Sequence, residues 1–165
     1  MLLAVASPAT ALAMAPALAA GGAVAAGYGL WFTWKAINAR IDEQAAPGSA
    51  FSLKIALGLA ATLAIMLVAA AFLSEALGQA GVILGAAFAG FADTHAAAIS
   101  VASLEASGRL DAREAVPAIL VAMTSNAITK TALAFSAGSR PFSARIVPGL
   151  ALSMAATWVA AFAAG

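Results

Sequence analysis

The stretch TALAMAPALAAGGAVAAGYGLWFTWK, Thr10 to Lys35, decides what kind of protein this is. It carries no charge before its last residue and lies within a run that is uncharged from Met1. A helix needs about 20 mostly apolar residues to cross a bilayer, and this stretch exceeds that. It closes on Trp31, Phe32 and Trp34 followed by Lys35, the aromatic and cationic ending that anchors a helix at a membrane interface. Its abundant alanine and glycine suit close approach between membrane helices. Ala11-Leu12-Ala13 and Ala17-Leu18-Ala19 have the small-residue form of a signal-peptide cleavage site. A leading cationic region is missing, however, and the apolar run is too long for such a peptide.

The rest of the chain agrees. Of its 165 residues, 64% are hydrophobic and 9% charged, against roughly a quarter charged in a soluble domain. So few charges cannot coat a water-soluble globule of this size, whereas a bilayer allows an apolar exterior. The net charge of +1 comes without a basic cluster, which excludes a nucleic-acid footprint. The absence of cysteine excludes disulfides, thiolate metal sites and cysteine nucleophiles. No serine-hydrolase elbow, phosphate loop, dinucleotide fingerprint or HExxH pattern occurs, so neither an enzyme nor a bound cofactor is expected.

Hydropathy and turn signals predict an all-α polytopic bundle of about five spans, a single membrane domain over residues 1–165: about 10–34, 51–77, 80–104, 115–135 and 142–163. Asn38 to Ser49 is polar and contains Pro47-Gly48, so it is a loop, with Ser49 placed to cap the second helix. Gly78 is placed to stop the second span. Asp111 with Glu114 three residues later fits a capping box for the fourth, and Pro148 is expected to bend the fifth near its start. If all five alternate, Lys35, Arg40, Lys54, Arg109 and Arg113 share one side, opposite Arg140 and Arg145. Five cations against two make the first side cytoplasmic and the N-terminus external. That start, without a preceding anchor, suggests a piece or shortened form of a longer protein.

Ionisable residues at membrane depth are costly and face a bundle interior or a wet cavity. Asp93, His95 and Lys130 are three such residues. Gly81, Gly85 and Ala89 recur every fourth residue, and the same step reaches Asp93, which would put its carboxylate at a packed interface. Gly90 followed by Asp93-Thr94 also predicts a broken third span, with a second half-helix capped at the break, as in transporters whose half-helices meet at substrate sites. The plainer alternative is that Asp93 merely caps a kink or pairs with a lysine. Ser100, seven residues on, shares the Asp93 face if the second half is helical. Ser103 and Ser107 fit ordinary packing. Asn126 and Lys130 are four apart on one helix face, though Lys130 is also near enough to the helix end to snorkel. Counted from the turn near Asp111, Asp93 and Lys130 fall at nearly equal depth, which makes a contact between them possible. His95 suits proton transfer. Without cysteine or a second histidine, no metal site is expected.

Phe51-Ser-Leu-Lys-Ile-Ala-Leu, Leu77-Gly-Gln-Ala-Gly-Val, Gly90-Phe-Ala-Asp93, Ala96 to Ser100 and Asn126-Ala-Ile-Thr-Lys130, with Gly138 downstream, together resemble one family. It is the uncharacterised multi-pass membrane domain, domain of unknown function 4010 type, that often follows an MgtC/SapB domain in bacterial membrane proteins. The resemblance spans almost the whole chain but only the C-terminal two-thirds or so of that domain. It implies a bacterial inner membrane location and a site built from the Gly-x-x-Asp and Asn-x-x-x-Lys motifs. His95 stands where the family usually has a second aspartate, which weakens any two-carboxylate cation site.

Together these observations point to a transport module for a small solute or ion, open to proton coupling, with Asp93, His95, Ser100, Asn126 and Lys130 around a polar site between the third and fourth spans. The alternative is a structural or regulatory membrane subunit whose polar residues only clamp helices. Five spans are few for a transporter, so the expected partners besides the lipid bilayer are a second copy or a missing N-terminal segment.

Overall fold

The computed structural model describes residues 2–38, 57–58, 60–62, 64–65, 68–69, 72 and 76–164. Most of the expected second span, Phe51 to Leu77, and the loop from 39 to Ser49 lie outside the described residues. The elements are α1 (Leu2–Ala6), α2 (Pro8–Asn38), α3 (Gly78–Ala92), α4 (Thr94–Ala106), α5 (Ala112–Ala137) and α6 (Arg140–Ala164). The protein is an all-α bundle, and α2, α5 and α6 are each long and apolar enough to cross a membrane.

Local chemistry sets the ends. Ser7 accepts the Thr10 N–H at 3.0 Å and Pro8 opens α2, a hydroxyl cap followed by a residue with no N–H to satisfy. The Asp111–Glu114 capping box is present at α5. Before it, Gly108 turns the chain with φ of 71°, a left-handed conformation that glycine adopts at no steric cost. Gly78 follows a break at Leu77 and is itself the first residue of α3. Pro148 sits inside α6 without interrupting it.

Packing is that of a membrane bundle, small inside and large outside. Ala17, Ala97, Ala102, Ala115, Ala118 and Ala122 are buried, whereas Leu30, Val159 and Phe162 are 70%, 69% and 77% exposed. Alanine contacts let backbones approach closely, while hydrocarbon, unlike water, sets no cost on exposed Leu and Phe. At the end of α2, Trp31 stacks edge-on against Phe32 and carries Lys35 Nζ over its ring at 5.7 Å.

Helix directions follow from these contacts. Ser153 donates to Gly21 O at 3.1 Å and Tyr28 to Arg145 O at 2.7 Å, so α2 and α6 are antiparallel. Five alternating crossings would make the first and last parallel. The third region does not make a straight crossing. α3 and α4 have 15 and 13 residues, about 22 and 20 Å at 1.5 Å per residue, each too short to cross alone. α3 packs closely on α5, whose first half is buried at Ala115, Ala118 and Ala122 while Leu133, Phe135 and Ser136 in its second half are exposed. α3 therefore lies beside the first half of α5, and α4 returns along the same half to the Gly108 turn. The two form a hairpin entering from one end of the bundle, its tip level with the middle of α5.

This corrects the sidedness expected from sequence. Lys35 lies at the same end as Arg140 and Arg145, not with Arg109 and Arg113, because α2 is antiparallel to α6.

Candidate functional site

The hairpin tip is Asp93, whose φ of −156° and ψ of 119° are extended. Helical bonding ends with Asp93 N–H donating to Ala89 O at 2.8 Å and resumes with Ala97 N–H donating to Asp93 O at 3.2 Å. A break strands backbone groups on both sides. On the α4 side Asp93 itself caps them: Oδ1 accepts from His95 N at 2.9 Å and Oδ2 from Ala96 N at 3.1 Å. On the α3 side, Gly90 and Phe91 lose the acceptor role a continuous helix gives their carbonyls. Asn126 Nδ2 donates to Gly90 O at 3.2 Å, and the single hydroxyl proton of Thr129 is shared between Phe91 O at 3.2 Å and Ser125 O of its own helix at 3.1 Å. The polar run on α5 thus supplies the donors that a broken helix at this depth requires. Gly90 makes the approach possible: a Cβ there would lie 2.6 Å from Ala122 Cα.

The tip opens on a cavity of about 720 Å³ between α2, α4, α5 and α6. Asp93, Thr94, His95, Asn126 and Lys130 line one part of it, while Met14, Leu18, Ile119, Met123, Leu150 and Met154 form apolar walls. The structure brings four of the five expected site residues together. Ser100 is exposed and does not line the cavity.

Two expectations about charge differ from the geometry. Asp93 does not continue the small-residue stripe. Gly81, Gly85 and Gly90 are buried, but the extended backbone at Asp93 resets the helical phase, leaving its side chain 54% exposed. Nor, among the described residues, does an ion pair join Asp93 to Lys130. Asp93 pairs instead with its neighbour His95, whose Nδ1 is 3.3 Å from Oδ1. Lys130 is exposed and lines the same cavity.

Sequence reasoning missed a second polar cluster. Ser7 Oγ donates to Glu105 Oε2, and Thr10 Oγ1 reaches the same oxygen at 3.4 Å. Ser7 and Thr10 are 1% and 0% exposed. The cluster ties the start of α2 to the end of α4. Ser7-Pro8 was the available signal, a cap followed by proline at the first helical position. Trp158 Nε1 donating to Thr124 Oγ1 at 3.0 Å joins α6 to α5. Among the described residues no group of three His, Cys, Asp or Glu gathers to hold a metal ion.

A family model described as Domain of unknown function (DUF4010) matches residues 1–138. The chain belongs to this family. No curated protein matches it, and no solved structure does. In this DUF4010 member the matched part holds the hairpin, its tip and the Asn126–Lys130 face of α5. The α6 residues Leu150, Ser153, Met154 and Thr157, which close the cavity, lie beyond the match.

Proposed function

We propose that this chain is a transport module for a small solute or ion in a bacterial inner membrane, with its site at the hairpin tip. One observation carries the proposal: extended backbone and an exposed carboxylate sit level with the middle of a spanning helix and face a cavity. Non-helical backbone at membrane depth is tolerated only where protein buries it or water reaches it, and half-helix ends at mid-depth are where transporters bind substrate. A coupled proton would be carried at the Asp93–His95 pair, where an imidazole nitrogen lies 3.3 Å from a carboxylate oxygen.

If residues 51–77 cross the membrane, the chain makes four crossings and one half-way hairpin. Lys35, Arg40, Lys54, Arg140 and Arg145 then share an end opposite Arg109 and Arg113, which makes that end cytoplasmic.

A structural or regulatory subunit is the second reading. It is favoured by the bonds from Asn126 and Thr129 to the hairpin backbone, because these side chains have a structural task whether or not anything binds. The two differ in access. Ala98→Cys and Ala127→Cys, introduced singly into this cysteine-free chain, place a thiol in the cavity wall. A transport module exposes that thiol in turn to both sides, so a membrane-impermeant thiol reagent labels it in right-side-out and in inverted vesicles. Labelling from one side only, or from neither, overturns the transport reading.

A further inference from the structure

The cavity offers more to a ligand than a bare ion uses. Its volume of about 720 Å³ lies in the range of small-molecule pockets, roughly 300–1,000 Å³. An ion held by protein needs only a close shell of oxygens. Most of the wall is thioether and aliphatic side chain, with Met14, Met123 and Met154 giving it an adaptable surface. Those walls match a ligand with an apolar body.

The charges are arranged for a ligand bearing one of each sign. Lys130 lines the cavity, and among the described residues its ammonium has no hydrogen-bond or ion-pair partner. A ligand carboxylate would supply one. The N-terminus of α4 would ordinarily compete for that anion, but the Asp93 carboxylate already occupies it through His95 N and Ala96 N. The tip therefore repels an anion and attracts a cation, and Asp93 Oδ2, which accepts one bond here, has capacity for another. Lys130 and Asp93 do not pair with each other, and no third formal charge faces the cavity from the described residues apart from the titratable His95. A net-neutral ligand with separated charges matches this lining better than an anion or a cation alone.

Resting on the transport reading of the same cavity, we infer that the solute is a zwitterion with an apolar body, of the class of aliphatic and thioether α-amino acids. Its carboxylate meets Lys130, its ammonium meets Asp93, and its side chain lies against Met14, Ile119 and Met123.

The test uses the full chain in nanodiscs with radiolabelled L-leucine as probe, competed by L-methionine, 3-methylbutylamine and 4-methylpentanoate. L-methionine should displace the label. Each single-charge analogue should compete about tenfold or more weakly, the usual consequence of losing one charge-assisted hydrogen bond. Lys130→Met should abolish the preference for leucine over 3-methylbutylamine, and Lys130→Arg should keep it, each variant first shown to be monodisperse. Equal competition by the single-charge analogues overturns the inference. So does absent leucine binding in a protein whose cavity thiols label from both sides, and in that case the transport reading survives. If the thiols do not label from both sides, both fail.

Discussion

Among the described residues, helical structure is interrupted at Ser7 and at Asp93, and these two interruptions are built from the same parts but left in opposite states. At Ser7 the same two backbone bonds flank the break as at Asp93, with Ser7 N–H donating to Leu3 O at 2.9 Å and Ala11 N–H to Ser7 O at 3.0 Å. The side-chain cap is sealed, Ser7 being 1% exposed and held against Glu105. At Asp93 the residue is fully extended, helical carbonyls are handed to another helix, and the capping side chain is 54% exposed to a cavity. A polar cap at a helix break is therefore no sign of a binding site by itself. What separates the two is access: one cap is enclosed by protein, the other left open where a bilayer would otherwise surround it.

The comparison breaks most severely if the contact under the tip is removed. Gly90→Leu forces a side chain into the Ala122 backbone and should cost on the order of 3 kcal/mol, at the upper end of overpacking effects. Gly22→Leu, on α2 where nothing lies within 4 Å, should leave the protein intact. Monodisperse yield in detergent measures both. Similar yields for the two variants would mean that α3 does not press on α5 as described.

The sealed interruption comes next. Ser7→Ala removes a cap and a hydroxyl donated to a carboxylate, and should lower stability by about 1–2 kcal/mol, read as a fall in thermal unfolding temperature. No fall would show that the Ser7–Glu105 contact is not a fixture of the folded bundle.

A smaller effect sharpens the account of the open tip. Asn and Asp cap helices about equally well, and Ala loses about 1 kcal/mol. Asp93→Asn should thus unfold within a few degrees of the parent, while Asp93→Ala unfolds lower. If Asn proves as damaging as Ala, the negative charge itself holds the fold, and the clamp interpretation gains.

Much of this was legible in the sequence. The charge-free run before Lys35 identified the membrane, and Gly90 with Asp93-Thr94 marked the break, because caps and glycines act through local chemistry that spacing reveals. The return of the third region was not legible. A hydrophobic run from Ala80 to Leu104 has the length of a crossing whether it runs straight or folds at its middle, and only packing against α5 distinguishes the two. The side on which each cation falls depends on that count of crossings, so the same residues gave a different topology. Asn126 stood out as a polar residue in an apolar span, but its carbonyl partner lies 36 positions away, beyond any local pattern. Glu105 escaped notice because it follows the apolar run, where a charge looks like the start of a loop.

The central claim, that the break at Asp93 is open to water and the one at Ser7 is not, is tested most directly by reagent access. Thr94→Cys, beside the tip and lining the cavity, and Ser7→Cys are each treated in native membranes with a water-soluble maleimide, and labelling rates are compared. The account predicts that the thiol at position 94 reacts about tenfold or more faster, since only an exposed thiolate is available to the reagent. Equal rates, or faster labelling at position 7, would contradict it.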